Sequence, residues 1–213
     1  MDQKIINFIK KNDINGLANY LLFETHLSVN GNNYRMIEIE FYICNDNHKD
    51  IFTHCHKDQK KMLTWYFHQM SNKDHSYKGG TFKGLDITCG FDNGYAGVLI
   101  RSIMNETTNQ VIEGPCKVVN EFLDKIKCDS IKTLVIDKLN NNVSCQYSDL
   151  LKLEEKHYNN TDLYVAPRIG LSMKGDTVNE KQKWVNNNYR FIIFKDNVKK
   201  EKKKMIKFSL DIK

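Results

Sequence analysis

Residues 36–54 concentrate side chains that can carry out acid–base chemistry. Over residues 37–43 apolar residues alternate with Glu38, Glu40 and Tyr42, which is the period of a half-buried β-strand. Two carboxylates and a phenol therefore share one face, and the loop that follows adds further aspartates and histidines. Enzyme sites are often built this way, with a rigid element that leads into a functional loop.

The same pattern also has a purely structural interpretation. Glu38 and Glu40 would then form the solvated face of an edge strand, and the histidines after them would be ordinary surface residues. Only the surroundings of the two carboxylates in the folded chain can separate the two interpretations.

A metal site is a third interpretation of this region. His48, His54, Cys55 and His56 are closely spaced, and histidine and cysteine are zinc ligands. Their spacing matches no standard zinc pattern, however, and adjacent side chains do not converge easily on one ion. We therefore rank a zinc-dependent hydrolase behind the other interpretations, and we expect no metal and no cofactor.

The elements that would hold these residues belong to one domain over residues 1–213, with a basic C-terminal segment at 195–213. The chain has no Pro/Gly/Ser-rich linker, its hydrophobic content is 40%, and six cysteines without a CxxC pair indicate free thiols. It has no apolar run long enough to cross a bilayer and no signal-peptide core at its start. We expect an intracellular monomer without a membrane partner, and the net charge of +6 is compatible with nucleic acid.

Local patterns predict an α+β chain. Residues 2–22 form two short helices, with Asn12 or Asp13 as a cap between them. Asn30-Gly31 predicts a hairpin turn between two strands, and Gly114-Pro115 opens a helix. Further strands are predicted at 23–27, 34–44, 81–90, 97–104, 133–137, 190–194 and 205–210, helices at 116–126 and 147–156, and residues 59–69 as either helix or strand.

Arg101 is the single charged residue in the apolar stretch GVLIRSIM. A lone cation in a predicted strand is either buried toward a site or forms a salt bridge with a structural carboxylate. Both interpretations stay open for this residue.

Four fragments occur in the order expected for one enzyme family: IEIEFY followed by His54, then GVLIRSIM, then GPCKVV, and finally PRIGLS with WVNNNYRF after it. Together they resemble the alkyladenine (3-methyladenine) DNA glycosylase family, in a divergent branch, across most of the chain. The resemblance implies a single α+β domain with a curved, mainly antiparallel sheet and flanking helices. It also implies DNA as partner and hydrolysis of the N-glycosidic bond of alkylated or deaminated purines.

The resemblance assigns roles to particular residues. Glu40 would activate the attacking water with Arg101 beside it, while Tyr42 and His54 would bracket the extruded base. The sequence departs from the family's pattern at two places. Residues 82–90 lack the family's wedge and stacking aromatics, and the loop before His54 is longer than in the family. Asp86 lies in the departing stretch and is predicted to bind substrate as a second acid of the site, with a capped turn as the alternative.

Three cations are predicted to contact nucleic-acid phosphates, namely Lys83, Lys117 and Arg168, although each type is more often a plain surface cation. Because the wedge and stacking aromatics are missing, a glycosylase-like module that binds nucleic acid without cleaving it is the main alternative to an enzyme.

Overall fold

The computed structural model describes residues 1–90, 94–159, 161–173 and 178–208, without the side chains of Asp2 and Val178. Its helices are α1 (Asp2–Lys10), α2 (Ile14–Phe23), α3 (Pro115–Ile126), α4 (Ile131–Thr133) and α5 (Val178–Val185). Its strands are β1 (Thr25–Val29), β2 (Asn32–Asn45), β3 (His48–Lys49), β4 (Met62–Phe67), β5 (Leu85–Cys89), β6 (Tyr95–Asn105), β7 (Val111–Glu113), β8 (Leu151–Glu155), β9 (Leu163–Ala166), β10 (Arg190–Ile193) and β11 (Ile206–Phe208).

The described strands form one sheet in which every paired neighbour is antiparallel. Its main order is β11-β9-β10-β2-β6-β5-β4. Four strands lie off this order. Strand β1 pairs with the start of β2 and with β8, β3 pairs with the end of β2, and β7 pairs with β6. The predicted α+β class and antiparallel sheet are confirmed. No helix among the described residues is both long and apolar enough to span a bilayer.

Strand β2 lies between β10 and β6, so the edge-strand interpretation of its two carboxylates is wrong. The prediction of a half-buried strand is also wrong, because Ile37 and Ile39 on one face and Glu38 and Glu40 on the other are all at most 1% exposed. Alternation indicated which residues share a face, but it could not show that the rest of the chain covers both faces.

Local signals predicted several elements correctly. Asp13 caps α2 by accepting a hydrogen bond from the Gly16 amide at 2.8 Å. Asn30 and Gly31 both have positive φ, at 44° and 77°, as a type I′ hairpin turn requires. Helix α3 begins with Pro115 at its first turn.

Two predictions between the third helix and β9 are wrong. Residues 133–137, predicted as a strand, are helical, since α4 continues into the π-helical turn Leu134–Lys138. Residues 147–156, predicted as a helix, contain β8, where buried Leu151 and Leu153 alternate with less buried residues. The local preference of residues 147–156 for a helix is weak, and pairing of β8 with β1 overrides it.

Two further regions complete the comparison. Residues 59–69, left open as helix or strand, contain β4. The predicted strand at 205–210 is observed over Ile206–Phe208, and residues 209 and 210 of that prediction lie outside the described residues, as does the end of the basic segment.

Candidate functional site

One row of residues crosses the sheet through the middle of β2. Tyr66 lies opposite Asp86, Asp86 opposite Leu99, Leu99 opposite Glu40, and Glu40 opposite Arg190. Residues directly opposite each other in antiparallel strands point to the same face. The register therefore brings two carboxylates, a phenol and a guanidinium from four strands to one side of the sheet.

Glu40 is fully buried and accepts hydrogen bonds on both carboxylate oxygens. Its Oε2 accepts from the Tyr42 hydroxyl at 2.9 Å and from Arg101 at 3.3 Å, while Oε1 accepts from the Ile169 amide at 2.8 Å. Burial raises the pKa of Glu40 above its ordinary value, although Arg101 and these hydrogen bonds act in the opposite direction. The carboxylate is thus held in place and made more basic than a solvated one.

A β-bulge explains why Glu38 has so many partners. The β2–β6 register shifts on both sides of Glu38, so consecutive residues Arg101 and Ser102 both reach it, although neighbours in a regular strand face opposite ways. The Nε of Arg101 lies 3.1 Å and the Nε of Arg190 2.6 Å from Glu38 Oε1, and the Ser102 hydroxyl donates to Oε2. Arg101 is therefore buried in ion pairs with both Glu38 and Glu40, and its role in a site stays a prediction.

The prediction that Arg168 contacts phosphate is wrong for this fold. Its side chain has no exposed surface; it pairs with the equally buried carboxylate of Asp50 and donates to the Phe41 carbonyl at 3.1 Å. Its guanidinium lies 4.5 Å from the centre of the Tyr42 ring, a cation–π contact. Arg168 therefore positions Tyr42 instead of meeting a ligand.

A cavity of about 210 Å³ opens beside Tyr42. All three residues predicted to bind substrate line it, and Glu40 lies directly behind Tyr42. Gly170, with φ of 79°, turns the backbone along the cavity just after the Ile169 amide that holds Glu40. The lining consists of Tyr42, Phe52, His54, Gln59, His68, Asp86, Gly170, Leu171 and Ser172.

Asp86 forms one polar wall of this cavity and is only 2% exposed. One of its oxygens lies 2.8 Å from His68 Nε2, and the other accepts from the Gln59 side chain at 3.3 Å. The His68 ring fits against Gly84, where an added Cβ would fall 2.5 Å from it. This histidine and aspartate are therefore held as a fixed pair.

His54 lies on the exposed rim of the cavity. Its ring packs edge-on against His68 with centroids 4.6 Å apart, and its Nε2 lies 3.1 Å from Lys78 Nζ. Partial burial and the neighbouring positive groups lower the pKa of His54. The ring is therefore neutral near pH 7, and its Nε2 accepts the hydrogen bond that the lysine donates.

The two remaining predicted cations lie on the surface. Lys117 is exposed in the first turn of α3, and Lys83 is half-buried and donates to the Asn120 side chain at 2.7 Å. Contacts between these residues and phosphate stay predictions.

The structure does not support the zinc interpretation. His48 packs between Trp184 and Tyr189, at centroid distances of 4.7 and 5.5 Å, whereas His56 stacks on Tyr66 at 5.0 Å. Within the described ranges, no group of three or more histidine, cysteine, aspartate or glutamate side chains is arranged to hold a metal ion.

Sequence reasoning missed part of the cavity wall, namely Phe52, Gln59, His68 and the backbone after Ile169. His68 had a usable signal, because it follows Tyr66 by two residues and so continues the same face past the end of β4. Gln59 comes from the short 3₁₀ helix Lys57–Lys60, and the others come from loops. The sequence carries no comparable periodicity for either.

Comparison with known proteins finds a relative that is itself uncharacterised. No family model matches the sequence. An uncharacterised protein of Acanthamoeba polyphaga mimivirus is 38% identical, and the alignment covers 88% of this chain and 89% of that protein. The chain belongs to the same family as this mimivirus protein.

Proposed function

We propose that the protein is a DNA repair glycosylase that hydrolyses the N-glycosidic bond of alkylated or deaminated purines. The observation that carries the proposal is the contact of Glu40 with both Arg101 and Tyr42, immediately behind a cavity lined by Tyr42, His54 and Asp86. The resemblance assigned water activation to Glu40, with Arg101 beside it, and base binding to Tyr42 and His54. It assigned no role to Asp86.

The size and lining of the cavity suit a single nucleobase. Its volume of about 210 Å³ is below the roughly 300–1,000 Å³ of sites for drug-sized ligands. Arg168 covers one face of the Tyr42 ring, so the ring has its other face to offer to a base. Stacking on an aromatic ring contributes about 1–3 kcal/mol per base, which offsets much of the few kcal/mol needed to extrude one.

The contacts of Glu40 indicate where water would bind. A carboxylate has about four acceptor positions, and the hydrogen bonds from Tyr42, Arg101 and the Ile169 amide occupy three of them. The remaining position is on Oε1, the oxygen that also accepts from the Ile169 amide. A water there would be aimed by the carboxylate and excluded from bulk solvent.

In the proposed reaction the water oxygen forms a bond to the anomeric carbon, while the bond from that carbon to the base nitrogen breaks and its electron pair leaves with the base. Glu40 accepts a proton from the water as general base. The negative carboxylate also stabilises the positive charge that develops on the sugar. Arg101 stays protonated and keeps the carboxylate in position.

The test is release of free base from oligonucleotides that contain hypoxanthine, ethenoadenine or methylated purines, in single and double strands. We expect the Glu40→Gln variant to lose about 10²–10⁴-fold in rate. Glu180→Gln is the matched control, because it makes the same change at an exposed position of α5 and should release base at the normal rate. Equal rates for the protein and Glu40→Gln would refute the proposal.

One observation favours a second candidate, a module that binds a base without cleaving it. Glu40 has no exposed surface, and the Tyr42 hydroxyl occupies the side of the carboxylate toward Arg101. Under this alternative, no substrate would be cleaved, and the Glu40→Gln variant would bind the modified oligonucleotides as tightly as the unmodified protein does.

A further inference from the structure

The positive charge of the chain is concentrated in one segment that the proposed reaction does not use. Residues 195–207, the lysine segment, contain seven lysines and two acidic residues and so have a formal charge of +5, whereas the whole chain has +6. The rest of the chain is therefore close to neutral. A polyanion that approaches the protein is attracted mainly to the lysine segment, because the field of a protein follows its charge distribution.

Two contacts hold the backbone of the lysine segment on the face of the sheet that carries Glu40. Arg190 lies opposite Glu40 and so points to the same face, and its guanidinium donates to the Lys200 carbonyl at 3.0 Å. The Glu113 carboxylate, at the end of β7, accepts from the Lys199 and Lys200 amides at 3.1 and 2.9 Å. The segment is therefore fixed beside the candidate site.

Three lysines in the held part of the segment are available to a ligand. Lys199, Lys200 and Lys203 are exposed, and none of the three forms a salt bridge with a carboxylate in the described part of the chain. Two other lysines of the segment pair with its own acidic residues, at 2.6 and 2.9 Å. Lysine ammonium groups are common partners of phosphate, so the three unpaired lysines suit a phosphate backbone.

The spacing along β2 gives the distance between the lysine segment and the cavity. Arg190 contacts the Lys200 carbonyl and also Glu38, at 3.0 and 2.6 Å, whereas Tyr42, four residues after Glu38 in β2, lines the cavity. Four residues of a strand span roughly 13 Å, and one strand of duplex DNA advances about 3.4 Å per nucleotide. A strand whose base enters the cavity therefore reaches the lysine segment about four nucleotides away.

We infer that the lysine segment, through Lys199, Lys200 and Lys203, binds phosphates of the nucleic-acid strand whose base enters the cavity. The inference rests on the proposed function, which supplies that base. Residues 199–204 are all lysine or glutamate, and Val198 before them is buried. A surface that inserts into lipid presents apolar side chains, so the held part of the segment favours a nucleic acid over a membrane.

The first measurement is the salt dependence of binding to an unmodified oligonucleotide, for the full chain and for the triple variant Lys199→Gln, Lys200→Gln, Lys203→Gln. The logarithm of the binding constant falls linearly with the logarithm of the salt concentration, with a slope of about 0.7–0.9 per phosphate contact. We expect the slope to become shallower by about 2–3 in the triple variant, because three contacts are lost.

A second triple variant is the matched control. Lys127→Gln, Lys132→Gln and Lys138→Gln remove the same charge at exposed positions. These residues lie after the C-terminal end of α3, in α4 and in the helical turn that follows it, and α3 is roughly 18 Å long. The control should keep nearly the full slope, because these lysines are far from Glu113 and the lysine segment.

The second measurement locates the strand by base release. Oligonucleotides with hypoxanthine between two long flanks are compared with oligonucleotides cut to about two nucleotides on the 5′ or on the 3′ side, since a strand reaches the lysine segment about four nucleotides from the cavity. With long flanks, the triple variant should require more protein for half-maximal release and keep the same maximal rate. One of the two truncations should abolish this difference, because the shortened strand no longer reaches the lysine segment.

The outcomes separate this inference from the proposed function. An unchanged slope in the triple variant, or an equal change in the control, overturns the inference, as does a difference in release that survives both truncations. Base release with an unchanged slope leaves the glycosylase standing without this interface. A shallower slope without base release from any substrate refutes the glycosylase and retains the interface. Weaker binding of the triple variant to phosphatidylserine vesicles, with binding to the oligonucleotide unchanged, would assign the segment to a membrane instead.

Discussion

Glu38 and Glu40 are two residues apart on one face of β2, and both are buried, yet their surroundings differ. Glu38 contacts two guanidinium groups, those of Arg101 and Arg190, and a serine hydroxyl. Glu40 contacts one guanidinium, a phenol and a backbone amide beside the cavity. The comparison indicates that the number of charged partners, and not burial, distinguishes Glu38 from the carboxylate that we propose as the general base.

This difference has a physical cause. Burying a carboxylate costs several kcal/mol unless opposite charge compensates it. Two cations compensate Glu38, whereas Glu40 shares the single cation Arg101 with its neighbour, and burial leaves the pKa of Glu40 raised. A carboxylate that is partly uncompensated accepts a proton more readily, which a general base must do.

The largest expected effect is on folding stability in Glu38→Gln. This change leaves Arg190 buried without its carboxylate partner, and removing one member of a buried ion pair costs about 3–5 kcal/mol. Urea unfolding should give a free energy of unfolding lower by that amount, with a smaller loss in Glu40→Gln, since Arg101 retains Glu38. A larger loss in Glu40→Gln would reverse the comparison.

The next largest effect is expected for the Tyr42 hydroxyl, which donates a hydrogen bond to Glu40 and not to Glu38. Tyr42→Phe keeps the ring over Arg168 and removes the hydroxyl that donates to Glu40, and a hydrogen bond to a charged group is worth about 1.5–3 kcal/mol. Urea unfolding should show a loss in that range. Tyr189→Phe is the matched control, because that ring also packs on Arg168 and the change should cost less. Equal losses would show that the Tyr42–Glu40 bond contributes little.

The raised pKa of Glu40 predicts a pH dependence. Because the pKa is higher in the folded state than its ordinary value, the folded protein binds the proton more tightly. This contribution to stability is fully present below about pH 4.3 and is lost as the pH rises through the folded pKa, by about 1.4 kcal/mol for each unit of the shift.

Urea unfolding of the protein and of Glu40→Gln across this pH range measures that contribution. The free energy of unfolding of the protein minus that of the variant should fall as the pH rises above about 4.3. A difference that rises with pH would mean that folding lowers the pKa of Glu40.

The smallest effect is expected outside the buried charges. Lys117→Ala should change the free energy of unfolding by less than about 0.5 kcal/mol. If Lys117 contacts phosphate, DNA binding weakens for all sequences and the slope of its salt dependence falls by about 1. The exposed Lys10→Ala, in α1, is the control, and equal changes in the two variants would argue against a specific contact at Lys117.

Elements with strong local signals could be predicted from the sequence. Asn30-Gly31 requires a backbone that few residues adopt, and Gly114-Pro115 restricts where α3 begins, so both were predicted without tertiary information. Residues 133–137 and 147–156 have no such signal, and packing against the rest of the chain decided their structure. Arg168 was misjudged for the same reason, because a sequence does not show which cations become buried.

By itself, the sequence determined that Glu38, Glu40 and Tyr42 share one face, because side chains in a strand alternate with a period of two. It also singled out Arg101 as a lone cation in an apolar strand. Only the tertiary structure decided that Glu40 and Asp86 lie in one row across the sheet and that His68 lines the cavity beside Asp86. Strand order and register join residues far apart in the chain, and periodicity within one strand carries no information about its neighbours.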